Sequence, residues 1–169
     1  MSRFKVSHFV LFIAFLLCPF QAAFGQISDE FSDGNFTDNP AWVGSLSHFI
    51  VNAAQELQLN APGAGTSTLA VQGNIPDSAV WNVSLKMQFA PSASNLLRIY
   101  LQAAQPDLLQ ARGYFLEIGE NGSADALRFY RQDGPGMTTL LSTGIPGFVA
   151  NDPVDIRLRV QRTSAGAWT

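Results

Sequence analysis

Trp81, Val83, Leu85, Met87 and Phe89 alternate with Asn82, Ser84, Lys86 and Gln88. Val154, Ile156, Leu158 and Val160 alternate with Asp155, Arg157, Arg159 and Gln161. Successive side chains of a strand point to opposite faces, so both stretches predict half-buried antiparallel strands. Shorter β-rich runs at 49–51, 57–60, 67–72, 96–102, 114–119, 126–131 and 138–142 predict further strands. Turn residues separate them: Ala61-Pro62-Gly63-Ala64-Gly65, Ile75-Pro76-Asp77, Asp133-Gly134-Pro135-Gly136 and Asn151-Asp152-Pro153. Helical periodicity is nearly absent after residue 26. Short strands with such spacing predict an all-β domain, a sandwich or barrel. No internal repeat is visible.

One hairpin can be set in register. Pairing Glu120 with Asp125 leaves the loop Asn121-Gly122-Ser123-Ala124. It sets Ile118 against Leu127 and Leu116 against Phe129 on one face. On the other it sets Glu117 against Arg128 and Phe115 against Tyr130, each a favourable cross-strand pair. At the C-terminal end a strand from Val154 runs to a turn at Ser164-Ala165-Gly166, and Trp168 is expected to begin the next strand. A strand that stops so soon would leave its neighbour's edge uncovered. The expectation is a domain incomplete at its C-terminus, with downstream domains of the same chain as its partners.

The N-terminus breaks the pattern. Arg3 and Lys5 precede an unbroken apolar run from Phe9 to Leu17, and Pro19 and the small residues Ala23 and Gly25 follow. This order predicts a helical signal peptide over residues 1–25, cleaved between Gly25 and Gln26, and a secreted or cell-surface location. The run is too short for a membrane helix, which needs about 20 apolar residues. Leu17 before Cys18 and Pro19 after it do not fit a lipoprotein signal. Cleavage removes the only cysteine, so no disulfide is expected. It also leaves eight basic against 13 acidic residues, shifting the formal charge from −3 to −5. No basic patch stands out, which excludes nucleic acid as an expected partner. No second apolar stretch would hold the cleaved chain in a membrane.

At Glu30-Phe31-Ser32-Asp33-Gly34-Asn35-Phe36 and Asn39-Pro40-Ala41-Trp42-Val43-Gly44 the chain resembles a known family. This is the concanavalin A-like, laminin-G-like sandwich near the N-terminus of large secreted multidomain proteins of gliding bacteria. The resemblance covers residues 26–169. It implies a two-sheet antiparallel jelly-roll sandwich, followed in such proteins by enzymatic or adhesive modules and a type IX secretion sorting domain. It implies little about activity, since the fold hosts lectins, glycosidases and spacers alike.

Catalytic chemistry finds little support. Concanavalin-like glycosidases carry carboxylates in a Glu-x-Asp-x-x-Glu spacing, and Glu117-Ile118-Gly119-Glu120 lacks the middle acid. Three apart on a strand, Glu117 and Glu120 are expected on opposite faces, unable to flank one glycosidic bond. Glu117 is better explained by pairing with Arg128. His48 is the only histidine after the signal, expected to be solvated or locally hydrogen-bonded, and no His/Cys cluster could hold zinc. No catalytic residue is assigned and an enzyme is not expected; a glycoside hydrolase is the third-ranked alternative. Glu30, Asp33 and Asp38 could supply oxygens to a structural calcium, the only cofactor in view. Asp33-Gly34 and Asp38-Asn39-Pro40 are better explained as turn formers capping their own backbone. Asn35-Phe36-Thr37, Asn82-Val83-Ser84 and Asn121-Gly122-Ser123 match the N-glycosylation pattern, as expected by chance in a bacterial chain.

The remaining constellation points to carbohydrate. The strand at 96–102 turns Leu97, Ile99 and Leu101 one way and Arg98, Tyr100 and Gln102 the other. The hairpin offers Phe115, Glu117, Arg128 and Tyr130 on its second face. If these strands are neighbours, Arg98, Tyr100, Gln102, Phe115, Glu117, Arg128 and Tyr130 form an aromatic and arginine surface. Sugar C–H faces stack on such rings, and hydroxyls bond to Arg, Gln and Glu. The expectation is an extracellular, non-catalytic module, glycan-binding or adhesive, with a polysaccharide or cell-surface glycan as partner. The alternative is a structural spacer for missing downstream domains.

Overall fold

A computed structural model describes residues 26–150 and 153–169. The expected signal peptide, its cleavage bond and Asp152 lie outside the described residues. The described residues are all-β, with ten strands in antiparallel sheets and no closed barrel among them. In order they are β1 (Trp42–Gly44), β2 (Phe49–Val51), β3 (Leu57–Leu59), β4 (Leu69–Val71), β5 (Ala79–Met87), β6 (Leu97–Ala103), β7 (Arg112–Ile118), β8 (Arg128–Gly134), β9 (Met137–Thr143) and β10 (Val154–Arg162). A 3-10 turn, Leu46–His48, leads into β2. Among the described residues no helix is long and apolar enough to cross a membrane.

Two layers enclose the core. β6-β7-β8-β9 form a four-stranded sheet, and β10 pairs with β5 in a second. The alternations in β5 and β10 dictate how they meet: Trp81 lies opposite Val160, Val83 opposite Leu158, Leu85 opposite Ile156 and Met87 opposite Val154. These residues pack on Leu101, Leu116 and Ile118 from the four-stranded sheet. Asn82, Ser84, Lys86, Arg157 and Arg159 face outward and are exposed. Phe89, expected on the inner face, lies beyond the end of β5 and is 44% exposed.

Trp168 forms an antiparallel bridge with Arg162 after the turn at Gly166. Its ring joins Trp81, Tyr114 and Phe129 in an aromatic cluster at one end of the sandwich, with ring centroids 5.0 to 5.4 Å from Trp168. The guanidinium of Arg162 donates to the carbonyls of Pro76 and Asp77 and to the side chain of Gln102. It thereby staples β10 to the segment before β5 and to β6.

The region before β5 is built differently. β1 pairs with β4 and β2 with β3, three residues a strand. Of its described apolar residues only Phe36 is buried. Polar turns fix it instead: Asn52 Oδ1 accepts from the N–H groups of Ala54 and Glu56, closing the β2–β3 turn. Lys86 on β5 meets Glu56 at 2.5 Å, tying this hairpin to the second sheet.

Candidate functional site

The hairpin register read from the sequence is the one observed: Glu117 lies opposite Arg128, Leu116 opposite Phe129 and Phe115 opposite Tyr130. Its loop is wider than expected. The ladder stops at Glu117 and Arg128, so neither Ile118–Leu127 nor Glu120–Asp125 is paired. Gly119 adopts φ +111°, and a Cβ there would stand 2.6 Å from the Ser92 carbonyl oxygen. Only glycine fits this close approach. The Leu127 carbonyl instead accepts from the N–H of Gly144.

β6 pairs with β7, setting Arg98 opposite Glu117 and Tyr100 opposite Phe115. Two rows therefore cross the outer face of the four-stranded sheet. One is Arg98–Glu117–Arg128 and the other Tyr100–Phe115–Tyr130. Six of the seven residues expected on this surface are there. Gln102 is not. A β-bulge between Tyr100 and Gln102 inserts Leu101 as an extra residue, so Gln102 comes opposite Tyr114 on the inner side. There its side chain accepts from Arg162.

The ion pairs differ from those expected. Glu117 accepts from Arg98 Nε at 2.8 Å rather than pairing with Arg128. Arg128 pairs with Glu120. Strand alternation fails for Glu120 because β7 ends at Ile118 and Gly119 turns the chain. Glu120 thus reaches the arginine that stands opposite Glu117, not the opposite face. Both glutamates are buried, 8% and 7% exposed, so each carboxylate is held by a cation away from solvent. That arrangement neither frees a general acid nor positions a nucleophile.

The aromatic row is packed on itself. Phe115 has no exposed surface. The Tyr100 ring lies 5.0 Å away on one side and the Tyr130 ring 5.1 Å on the other. The Arg98 guanidinium sits 4.9 Å from the Phe115 centroid. Phe115 is therefore the hub of a small outer core rather than a surface open to ligand.

Tyr100 owes its position to a residue the sequence reading missed. Its hydroxyl donates to Gln132 Oε1 at 2.6 Å. Gln132 stands on β8, so the tyrosine reaches across β7 to make this bond. Gly113, opposite Gln132, contributes no side chain to block the crossing. Gln132 is itself fixed: its Nε2 donates to the carbonyls of Leu108 at 3.0 Å and Ala111 at 2.8 Å. The β6–β7 loop is thus folded back onto the sheet. The available signal was the place of Gln132, two residues after Tyr130 and so on the same face.

Burial pushes the Tyr100 phenol above its ordinary value, and the Arg98 charge pulls it part of the way back. A raised pKa means that the folded chain holds this proton more tightly than the unfolded one. The site's contribution to stability is complete below the ordinary tyrosine pKa of about 10. It is lost as pH rises through the raised value. The difference between tyrosinate absorbance titrations of the wild type and Tyr100→Phe is expected to place this phenol's transition above pH ~10. A transition below that pH would show that the ring is not desolvated.

The calcium expectation falls on a hollow of about 260 Å³ lined by Glu30 and Asp33, but not by Asp38. Asp33 Oδ1 accepts from the Asn35 N–H at 3.0 Å, the turn-forming role. Among the described residues no three acidic, histidine or cysteine side chains gather as a metal site. His48 Nδ1 lies 2.8 Å from Ser67 Oγ, a local partner. Set against protein-family models, curated proteins and solved structures, the chain finds no match.

Proposed function

We propose that the chain is a secreted, non-catalytic binding module with a jelly-roll sandwich of the concanavalin A-like, laminin-G-like kind. The outer face of its four-stranded sheet takes a glycan. One observation carries the proposal: the Tyr100 ring is held across the sheet by Gln132, beside a row of two arginines and a glutamate. β6 is the edge of the sheet, so among the described residues no further strand stands beside this ring. A pyranose ring offers an apolar C–H face and a rim of hydroxyls. A fixed aromatic ring next to guanidinium donors answers both. Export rests on the basic, apolar and small-residue order of the first 25 residues.

The test is a glycan array probed with the chain. Specific binding is expected, falling at least roughly tenfold in a Tyr100→Ala/Tyr130→Ala double variant. Binding unchanged in that variant would remove this face from the account.

A second role, a spacer that positions further domains of the same chain, is favoured by the self-packing of this face. Phe115 is fully enclosed, and both arginines of the row are paired with glutamates. A folded chain that binds nothing on the array supports the spacer.

A further inference from the structure

Among the described residues, both arginines of the two outer rows are already paired. Arg98 gives its Nε–H to Glu117, and Arg128 is paired with Glu120. Both glutamates are buried, so an arginine drawn off to another anion would leave a buried carboxylate unpaired. The Tyr100 phenol, raised by burial, stays protonated at neutral pH. A uronate or sulfated sugar placed here would have to displace a buried carboxylate or give up hydration without a counter-charge. Neutral hydroxyls meet no such cost. Each guanidinium has five N–H donors, and one pairing leaves others for sugar oxygens.

We infer that the ligand of this face is a neutral glycan, an inference that rests on the face being the glycan-binding one. Cations without an ion pair among the described residues lie off these two rows. Arg112 is exposed at the start of β7, on the alternate side of the strand from Phe115 and Glu117. Arg157 and Arg159 point outward from β10, opposite Ser84 and Asn82, with no ion pair among the described residues. An acidic polysaccharide would be drawn to them rather than to the Tyr100 face.

The experiment measures binding of the chain to a neutral β-glucan, a neutral galactomannan, polygalacturonate and a sulfated galactan, at low and high salt. At least one neutral polymer is expected to bind, with an affinity that changes less than about twofold with salt, because the polymer carries no charge for salt to screen. Tyr100→Ala is expected to weaken that binding roughly tenfold or more. Glu117→Gln, which unpairs Arg98, is expected to raise the affinity for polygalacturonate; circular dichroism checks that the variants are folded. Wild-type preference for an acidic polymer, lost in Arg98→Gln, overturns the neutral ligand but keeps the face as the glycan site. Binding of any polymer only through Arg157 and Arg159, lost in R157Q/R159Q, overturns both, as does a folded chain that binds none of the four.

Discussion

Truncating Phe115 to alanine is expected to destabilise the chain by about 3–5 kcal/mol, the usual cost of removing a buried phenylalanine. Phe115 belongs to the outer face, where an alternating strand places its polar or exposed side chains. Its ring is nevertheless enclosed by Tyr100, Tyr130 and the Arg98 guanidinium. Alanine would leave a cavity under three groups that lean on the ring and cannot all collapse into it. Urea denaturation checks this: the midpoint is expected to fall while the slope stays constant. Val80→Ala, at a 45% exposed position on the other sheet, serves as the control with a cost within about 0.5 kcal/mol. A Phe115→Ala cost near that of the control would mean that the outer face is not packed as described.

Gln132→Leu is expected to cost about 2–4 kcal/mol although it keeps most of the side-chain volume. Gln132 is 3% exposed and its amide is used at both ends. Leucine would strand the carbonyls of Leu108 and Ala111 and the Tyr100 hydroxyl. Each buried polar group left without a partner costs about 1–3 kcal/mol, with partial relief where water can enter. The substitution should also release Tyr100, bringing its alkaline transition closer to the ordinary tyrosine value and weakening glycan binding. A stable variant with an unchanged Tyr100 transition would show that Gln132 does not hold the ring.

The two long alternations and the hairpin were legible because each strand carries its own proof. Apolar residues at every second place fix the inner face of β5 and β10. Matched partners fix the register of β7 against β8. The bulge at Leu101 left no such mark. A leucine there satisfies a regular alternation, and nothing local distinguishes an extra residue from a paired one, so Gln102 was placed on the wrong face. Glu120 was misplaced for a related reason. Alternation was carried past Gly119, whose left-handed backbone ends the strand. The outward sides of both partners in the hairpin were correct, but which guanidinium meets which carboxylate depends on Arg98, one strand further away. Gln132 escapes the sequence reading because the strand predicted at 126–131 stops one residue short of it, whereas β8 runs on to Gly134. The burial of Gln132 comes from the β6–β7 loop, whose path follows from the whole fold rather than from its neighbours in sequence.

An NMR titration of the chain with the glycan that binds best tests the central claim most directly. Amide shifts are expected to concentrate at Arg98, Tyr100, Glu117, Arg128 and Tyr130, on three adjacent strands of one sheet face. Shifts concentrated instead at Asn82, Ser84, Arg157 and Arg159, on the outward face of the other sheet, would contradict the account.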